Sequence, residues 1–344
     1  INITFMSKTL FLGLDGGATK ILAQICEFDL ESSLITPIGK QIEFSYGESS
    51  NFDPTFKPTE LLKQQKESKN NIFNFSKKEI KQSSSIIDTI VKIILSSIKN
   101  TKITQIGLCF PGIKTTNLDG ISIMVNGPRN IDMLNELNQK IKSKLGNKLS
   151  IKMIYDDSEC CVIGEKKSSV GKLMNCKNAI YIGGGTGIAD GLILNDKIID
   201  LKNHSEIKRS WELIMHNGET IEKCLSLGGM LSKWGKMKKD SPLNILSLFE
   251  NAMLDDNIAN DILDKAANAF TFLIKDRTDF FYSKNTKPEK IVIGQRLGLL
   301  LSNKNNPLLK LISKNYNGHI PIETSTDRRT AAIGAAYKAY ENIK

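Results

Sequence analysis

No stretch of this 344-residue chain comes near the run of ~20 apolar residues that a membrane-spanning helix needs. The N-terminus lacks the basic region, short apolar segment and small-residue cleavage site of a secretory signal. These absences predict a soluble, cytoplasmic protein with no membrane partner. Met6-Ser7-Lys8 reads as a natural start, which leaves residues 1–5 as an extension without a meaning. The cysteines (Cys26, Cys109, Cys160, Cys161, Cys176 and Cys224) include no CxC or CxxC pair, and a chain of this length needs no disulfide staples. Reduced, mostly buried thiols are expected. His204, His216 and His319 lack metal-ligand spacing, so no zinc is expected. The GxxxxGK[ST] spacing of a P-loop is missing, and so is GxGxxG after the first strand, which argues against a dinucleotide-binding fold.

What is present is ordinary for a globular protein: 40% hydrophobic and 24% charged residues. The formal net charge is +10. A basic balance can serve nucleic acid, but here the lysines are scattered through a chain rich in Lys, Asn and Ile. The densest run, KWGKMKKD at 233–240, has no aromatic interleaving beyond Trp234 and reads as a solvated helix end. No nucleic-acid partner is expected, and anionic small molecules suit the sign of the charge.

The length exceeds what one core usually serves, so two lobes are expected. TLFLGLD (9–15), KILAQICEFD (20–29) and IGKQIEFSYG (38–47) read as strands, and residues 52–76 as polar and irregular. An apolar stripe at helical spacing covers 79–99, a buried strand 103–110, a helix 130–146, and a strand 150–157 that runs straight into a helix at 158–167. A glycine-rich hairpin follows at 178–199, mainly helical spans at 219–235 and 242–282, a strand, glycine turn and helix start at 290–301, a last strand at 319–325 and a closing helix at 327–343. The hairpin-plus-helix pattern occurs twice. That predicts two α/β lobes, 7–120 with the closing helix 327–344 and 121–326, dividing near 115–130.

Three glycine turns each follow an apolar strand: Asp15-Gly16-Gly17, Gly183 to Gly187 around Thr186, and Gly294-Gln295-Arg296. Glycine lets backbone N–H groups approach an anion with no Cβ in the way, and a neighbouring Thr or Lys adds a further phosphate contact. Asp-Gly is also a plain hairpin signal. In IYDDSECCVIGE (154–165), Asp156 and Asp157 end a strand, where open α/β sheets present ligand-binding residues. One of these acids could take a proton from an attacking hydroxyl, and one could cap the helix that follows.

Taken in order, these segments resemble the ROK family (repressor, open reading frame, kinase) of the actin-like ATPase and hexokinase superfamily, over about residues 9–340. FLGLDGGATK resembles the family's first phosphate motif, IYDDSECCVIGE its catalytic strand–N-D–helix segment, IYIGGGTGIADGLI its second phosphate hairpin, IVIGQRLG its adenosine motif and TAAIGAA its closing helix. The resemblance implies a duplicated, ribonuclease H-like α/β fold whose lobes close on ATP and a sugar across a central cleft. It implies that Asp15 helps to hold Mg²⁺ through water, and that Gly16, Gly17, Thr19 and Lys20 line the phosphate path. Gly185, Thr186 and Gly187 would clasp the phosphates, and Gly294 would lie against adenosine. Asp157 falls on the general base and Asp156 on the sugar-binding Asn.

The chain also departs from the family. Its zinc signature, CxCGxxGC, is missing, and NGETIEKCLSLGGML (217–231) resembles only the segment after it. Glu222 matches a glutamate near the sugar and Glu212 one in the ExGH segment; each could equally be a solvated helix acid. Gln295-Arg296 replaces a glycine pair. NGPRNI (126–131) is a candidate sugar loop, with Asn130, or a plain turn, and YGESSNFDP (46–54) a turn with a thin likeness to N-acetylhexosamine kinases. The expected activity is ATP-dependent phosphorylation of a hexose or N-acetylhexosamine, with a non-catalytic sugar sensor as the alternative. A ROK repressor needs a helix-turn-helix ahead of the first phosphate motif, which starts near residue 11 and leaves no room. The family's habit implies a homodimer.

Overall fold

The computed structural model describes residues 9–99, 101–201, 204, 206–238 and 244–344. Residues 1–5, the end of the KWGKMKKD run and the start of the 242–282 span lie outside the described residues. The chain divides into two compact units, one running to Val170 and joined by Arg329–Lys344, the other Gly171–Arg328.

In the first unit, β1 (Thr9–Gly16), β2 (Lys20–Asp29) and β3 (Leu34–Ser45) form an antiparallel meander. Then come α1 (Leu61–Asn70), α2 (Lys77–Ser97), β4 (Gln105–Phe110), a small hairpin of β5 (Ile113–Lys114) and β6 (Ile121–Ile123), α3 (Met133–Leu145), β7 (Ile151–Asp156) and α4 (Asp157–Lys167). The sheet order is β3-β2-β1-β4-β7, with β4 parallel to both β1 and β7.

The second unit repeats that order. Here β8 (Ala179–Gly184), β9 (Ile188–Leu194) and β10 (Lys197–Ile198) form the meander, followed by α5 (Ile221–Leu225), α6 (Leu227–Met237), α7 (Ile245–Met253) and α8 (Asn257–Ser283). Next are β11 (Lys290–Gly294), α9 (Gln295–Leu301), α10 (Pro307–Asn315) and β12 (Ile322–Thr324), giving β10-β9-β8-β11-β12 with β11 parallel to both β8 and β12. The chain then returns to the first unit as α11 (Thr330–Glu341). Among the described residues, no helix is long and apolar enough to cross a membrane.

Both faces of the first sheet are covered, which is why β1 and β4 read as nearly unbroken apolar runs. Leu12, Leu14, Ile106 and Leu108 pack with Ile86, Ile87 and Ile90 of α2 and Leu137 of α3. On the other face Phe11, Cys26 and Phe28 meet Ile333 and Ala336 of α11. That helix lies against the sheet at backbone distance: a Cβ on Gly13 would sit 1.8 Å from the Ala332 carbonyl oxygen, and one on Gly107 1.9 Å from that of Ala335. The small residues of TAAIGAA and the strand glycines are two halves of one contact.

Two features differ from the sequence reading. The break between the units falls after Val170 rather than near 115–130, because β7 pairs with β4 and Gly164 of α4 packs directly on Thr330 of α11. Within 52–76, read as irregular, lies α1. Its sequence LLKQQKESKN has no apolar stripe, because the residues it buries are Gln64 and Glu67. The Gln64 amide donates to the carbonyls of Thr59 and Met124 and accepts from Met124 N–H, so the helix is held by polar groups that a hydrophobic period cannot register.

Candidate active site

Asp15 is the penultimate residue of β1, with Cys109 of β4 as its parallel neighbour, while Phe110 is the neighbour of Asp156 on β7. Asp15 and Asp156 therefore share the carboxyl-terminal edge of the sheet, two strands apart, or roughly 10 Å between backbones. Parallel α/β sheets present their functional groups at this edge.

The turn after Asp15 is shaped by close packing. A Cβ on Gly16 would lie 2.1 Å from the Phe110 ring, and the Gly17 N–H donates to the Lys20 carbonyl at 2.9 Å. Tyr46, following β3, ties its N–H to the Thr19 carbonyl at 3.0 Å. Its buried hydroxyl is pushed well above the ordinary tyrosine range by burial, then by the charge of Asp15. The Cys109 Sγ lies 3.7 Å from both Asp15 Oδ1 and the Ala331 carbonyl oxygen, which compete for its single S–H. Burial raises its pKa well above the ordinary value, so it stays a neutral donor. Thr19 is exposed. Lys20 gives its ammonium to Glu43 Oε2 at 2.7 Å, an exposed pair worth about 0–1 kcal/mol that opens at little cost.

At the end of β7, Asp156 takes the N-cap position of α4 but makes no capping hydrogen bond with its side chain. Its Oδ1 instead accepts from Lys114 Nζ at 2.8 Å. The following Asp157 accepts from Ser158 N–H at 2.9 Å. Part of Asp157 stays open, yet the surrounding protein takes most of the water from its carboxylate. Burial raises its pKa, Lys114 pulls it down and Asp156 pushes it up, for a net rise above the usual carboxylate range. A carboxylate so placed is a better proton acceptor than an exposed one.

Asn130 is placed differently. Its amide donates to Ser83 Oγ at 2.8 Å and Glu136 Oε1 at 3.1 Å and accepts from Asp132 N–H, while its backbone pairs with Ile121. These bonds anchor the NGPRNI loop to α2 and α3.

In the second unit the β8–β9 hairpin carries Gly185, Thr186 and Gly187 at its tip, with Thr186 exposed. Gly185 N–H donates to the Gly187 carbonyl at 2.9 Å, and Gly185 O accepts from Leu227 N–H at 3.0 Å, at the start of α6. Glu222, in the first turn of α5, sits against this hairpin: its Oε2 accepts from Ile188 N–H at 3.1 Å, and a Cβ on Gly187 would lie 2.7 Å from that oxygen. Glu212 is exposed and accepts from Arg209 N–H within a turn. Gly294 pairs with Gly183 across β11 and β8, and a Cβ on Gly294 would lie 2.4 Å from the Tyr181 hydroxyl, so the tyrosine fills the space side chains would take. Gln295 follows in the left-handed region at φ 56°, where a glycine carries no strain, and its Oε1 lies 3.1 Å from the Cβ position of Gly183.

Sequence reasoning missed Lys114, Tyr46 and Cys109 as neighbours of the acids. A lysine two residues beyond the Pro-Gly turn that ends β4 is unremarkable in sequence; only the unbalanced Asp-Asp pair hints that a cation is needed. Among the described residues no group of three or more His, Cys, Asp or Glu could hold a metal ion. A single carboxylate near the strand end, Asp15, suits the habit of Mg²⁺, which takes one or two carboxylates and completes its shell with phosphate oxygens and water.

No family model matches the sequence, and no curated protein matches it. The fold is similar to that of a ROK family glucokinase from Streptomyces griseus in complex with glucose and AMPPNP, with a TM-score of 0.63 and 15% identity over 96% of this chain and 99% of that one. It is similar to the ROK hexokinase from Thermus thermophilus, with a TM-score of 0.60 and 14% identity over 97% and 99% of the two chains. A ROK family transcriptional regulator, a homolog of the E. coli MLC protein, matches with a TM-score of 0.58 and 13% identity, covering 97% of this chain and 78% of that one. The chain thus has the α/β actin-like ATPase fold in the form that ROK-family sugar kinases share. Its two sheets of identical order are the duplication that the motifs led us to expect.

Proposed function

We propose that this chain is an ATP-dependent sugar kinase that phosphorylates a hydroxyl of a hexose or N-acetylhexosamine. The observation that carries the reading is Asp157: a poorly hydrated carboxylate at a strand–helix junction, on the same sheet edge as the Asp15-Gly16-Gly17 turn. Asp157 takes the hydroxyl proton as the sugar oxygen attacks the terminal phosphorus, the bond to the β-phosphate oxygen breaks, and ADP leaves. Asp156 and Glu222 are the proposed sugar contacts. Gly16, Gly17, Thr19 and Lys20, together with Gly185, Thr186 and Gly187, are proposed to bind phosphate, and Gly294 adenosine. Asp15 would hold Mg²⁺ through water; when bound, the ion neutralises charge on the phosphoryl group in flight.

The test is an ADP-release assay with MgATP against a panel of hexoses and N-acetylhexosamines. Turnover on one sugar names the substrate. A folded protein that binds a sugar but turns over none is a sensor, and the kinase reading is then wrong. The adenosine turn yields a second expectation. Gln295→Gly removes a side chain that lies against Gly183 and relieves about 1–2 kcal/mol of left-handed strain, largely offset by the greater freedom of glycine in the unfolded chain. KM for ATP falls, KM for sugar holds and thermal stability changes little; a raised KM for ATP would show that Gln295 is itself a nucleotide contact.

A further inference from the structure

The Lys114 side chain is 1% exposed and that of Asp156 11%, and no step of the proposed reaction uses the lysine. Its Nζ donates to the Gly112 carbonyl at 2.7 Å and to Asp156 Oδ1 at 2.8 Å. Gly112 makes this possible: φ of +89° sends the chain back after β4, and a Cβ there would lie 2.4 Å from the Ile123 carbonyl oxygen. Removing an ammonium from water is costly, and a buried ion pair is weak evidence for a stabilising role. The pair is better explained by its neighbour. Asp156 brings a negative charge to the position directly before Asp157, where the family resemblance expects a neutral asparagine. Two adjacent carboxylates with no cation favour protonation of one of them.

We propose that Lys114 is a positioning residue for phosphoryl transfer: it fixes Asp156 and cancels its charge, so that Lys114 and Asp156 together stand in for a neutral asparagine beside the base. This rests on the kinase reading and deepens it. The other groups around the junction leave the part to Lys114. From β4 comes Cys109, and from α4 Cys160, both thiols raised by burial and neutral. Glu159 of α4 is already paired with Lys338 of α11 at 3.2 Å. Lys114 is the cation acting on Asp157, and Asp156 the anion.

The experiment compares the wild type with Lys114→Met, Asp156→Asn and the double variant, reading kcat and KM between pH 5 and 9. In Lys114→Met the acidic limb of the kcat profile moves up by about one pH unit, so turnover at a given pH on that limb falls about ten-fold and recovers as pH rises. In Asp156→Asn, which leaves the cation without its anion, the limb moves down. The double variant returns the limb towards the wild-type position, although sugar KM rises in both variants that lose Asp156. Carbon-13 NMR titration of the Asp157 carboxyl, assigned by its loss in Asp157→Asn, follows the same shifts in the sugar-free protein. If the wild type turns over no sugar, the kinase reading fails, while the NMR shifts still decide whether Lys114 sets the state of Asp157. An unmoved limb and an unmoved carboxyl resonance in folded Lys114→Met, or shifts of one sign in both single variants, would overturn the proposal.

Discussion

Asp157→Asn should cut turnover by orders of magnitude and at the same time raise thermal stability at neutral pH. The loss of activity follows from the role of the carboxylate. Asparagine matches its shape but accepts no proton, so kcat falls by about 10²–10⁴-fold with sugar affinity largely kept. The gain in stability follows from the raised pKa of Asp157 in the folded protein, where burial is the largest cause. An unfolded aspartate loses its proton near pH ~3.9. Between that pH and the raised folded value, the folded protein binds a proton that the unfolded chain has released. Stability therefore drops as pH rises through this window, and the loss persists above it. Asparagine has no such penalty. Melting curves of wild type and variant should coincide near pH 4 and separate in favour of the variant by pH 7. A variant less stable than the wild type at both pH values would mean that the charged Asp157 is well paired in the folded state, and that its function is not built on poor hydration.

The largest loss of stability belongs to a buried arginine that takes no step in the proposed reaction. Arg129→Ala should lower stability by about 3–5 kcal/mol, because it leaves the buried Glu79 without its cation and Glu67 with only Lys63 at 3.9 Å. The Arg129 side chain is 0% exposed; Nε and Nη2 donate to the two oxygens of Glu79 at 2.9 and 3.1 Å, Nη1 donates to Glu67, and the guanidinium lies 5.1 Å from the Phe75 ring centre. Burial works against ionisation of Glu67, but the Arg129 hydrogen bond and charge outweigh it and hold the carboxyl below its usual range. A lowered folded pKa contributes stability above the unfolded value of about 4.3, and this is lost as pH falls through the folded value. The wild-type advantage over Arg129→Ala therefore narrows on acidification. Neutralising the two acids with Glu67→Gln and Glu79→Gln should restore part of the loss at pH 7. Differential scanning calorimetry reads all three effects. A melting temperature within about 2 °C of wild type for Arg129→Ala would show that water reaches the two carboxylates.

Arg129 also marks where the sequence stops being informative. The strands β1, β4, β8 and β11, the helix α2 with its stripe of isoleucines, and the glycine turns are all visible locally, because each is written in residues a few positions apart. The Asp156–Asp157 junction is legible for the same reason: paired acids between an apolar strand and a helical run have few other places to be. The helix α1 is not legible, since its buried face is Gln64 and Glu67, and their partners Met124 and Arg129 lie 60 and 62 residues away. Lys114 reaches Asp156 from 42 residues away, through a turn that only a glycine at positive φ can make. The division after Val170 depends on β7 joining β4 and on α11 settling on Gly13 and Gly107, contacts between segments far apart in the sequence. By itself the sequence determined the two glycine-turn sheets and the position of the acid that ends β7, because periodicity and backbone freedom are local properties. Which cation balances the acids, which polar helix is buried and where the units part were decided by the tertiary structure, because charge pairing and backbone packing are settled between residues that become neighbours only on folding.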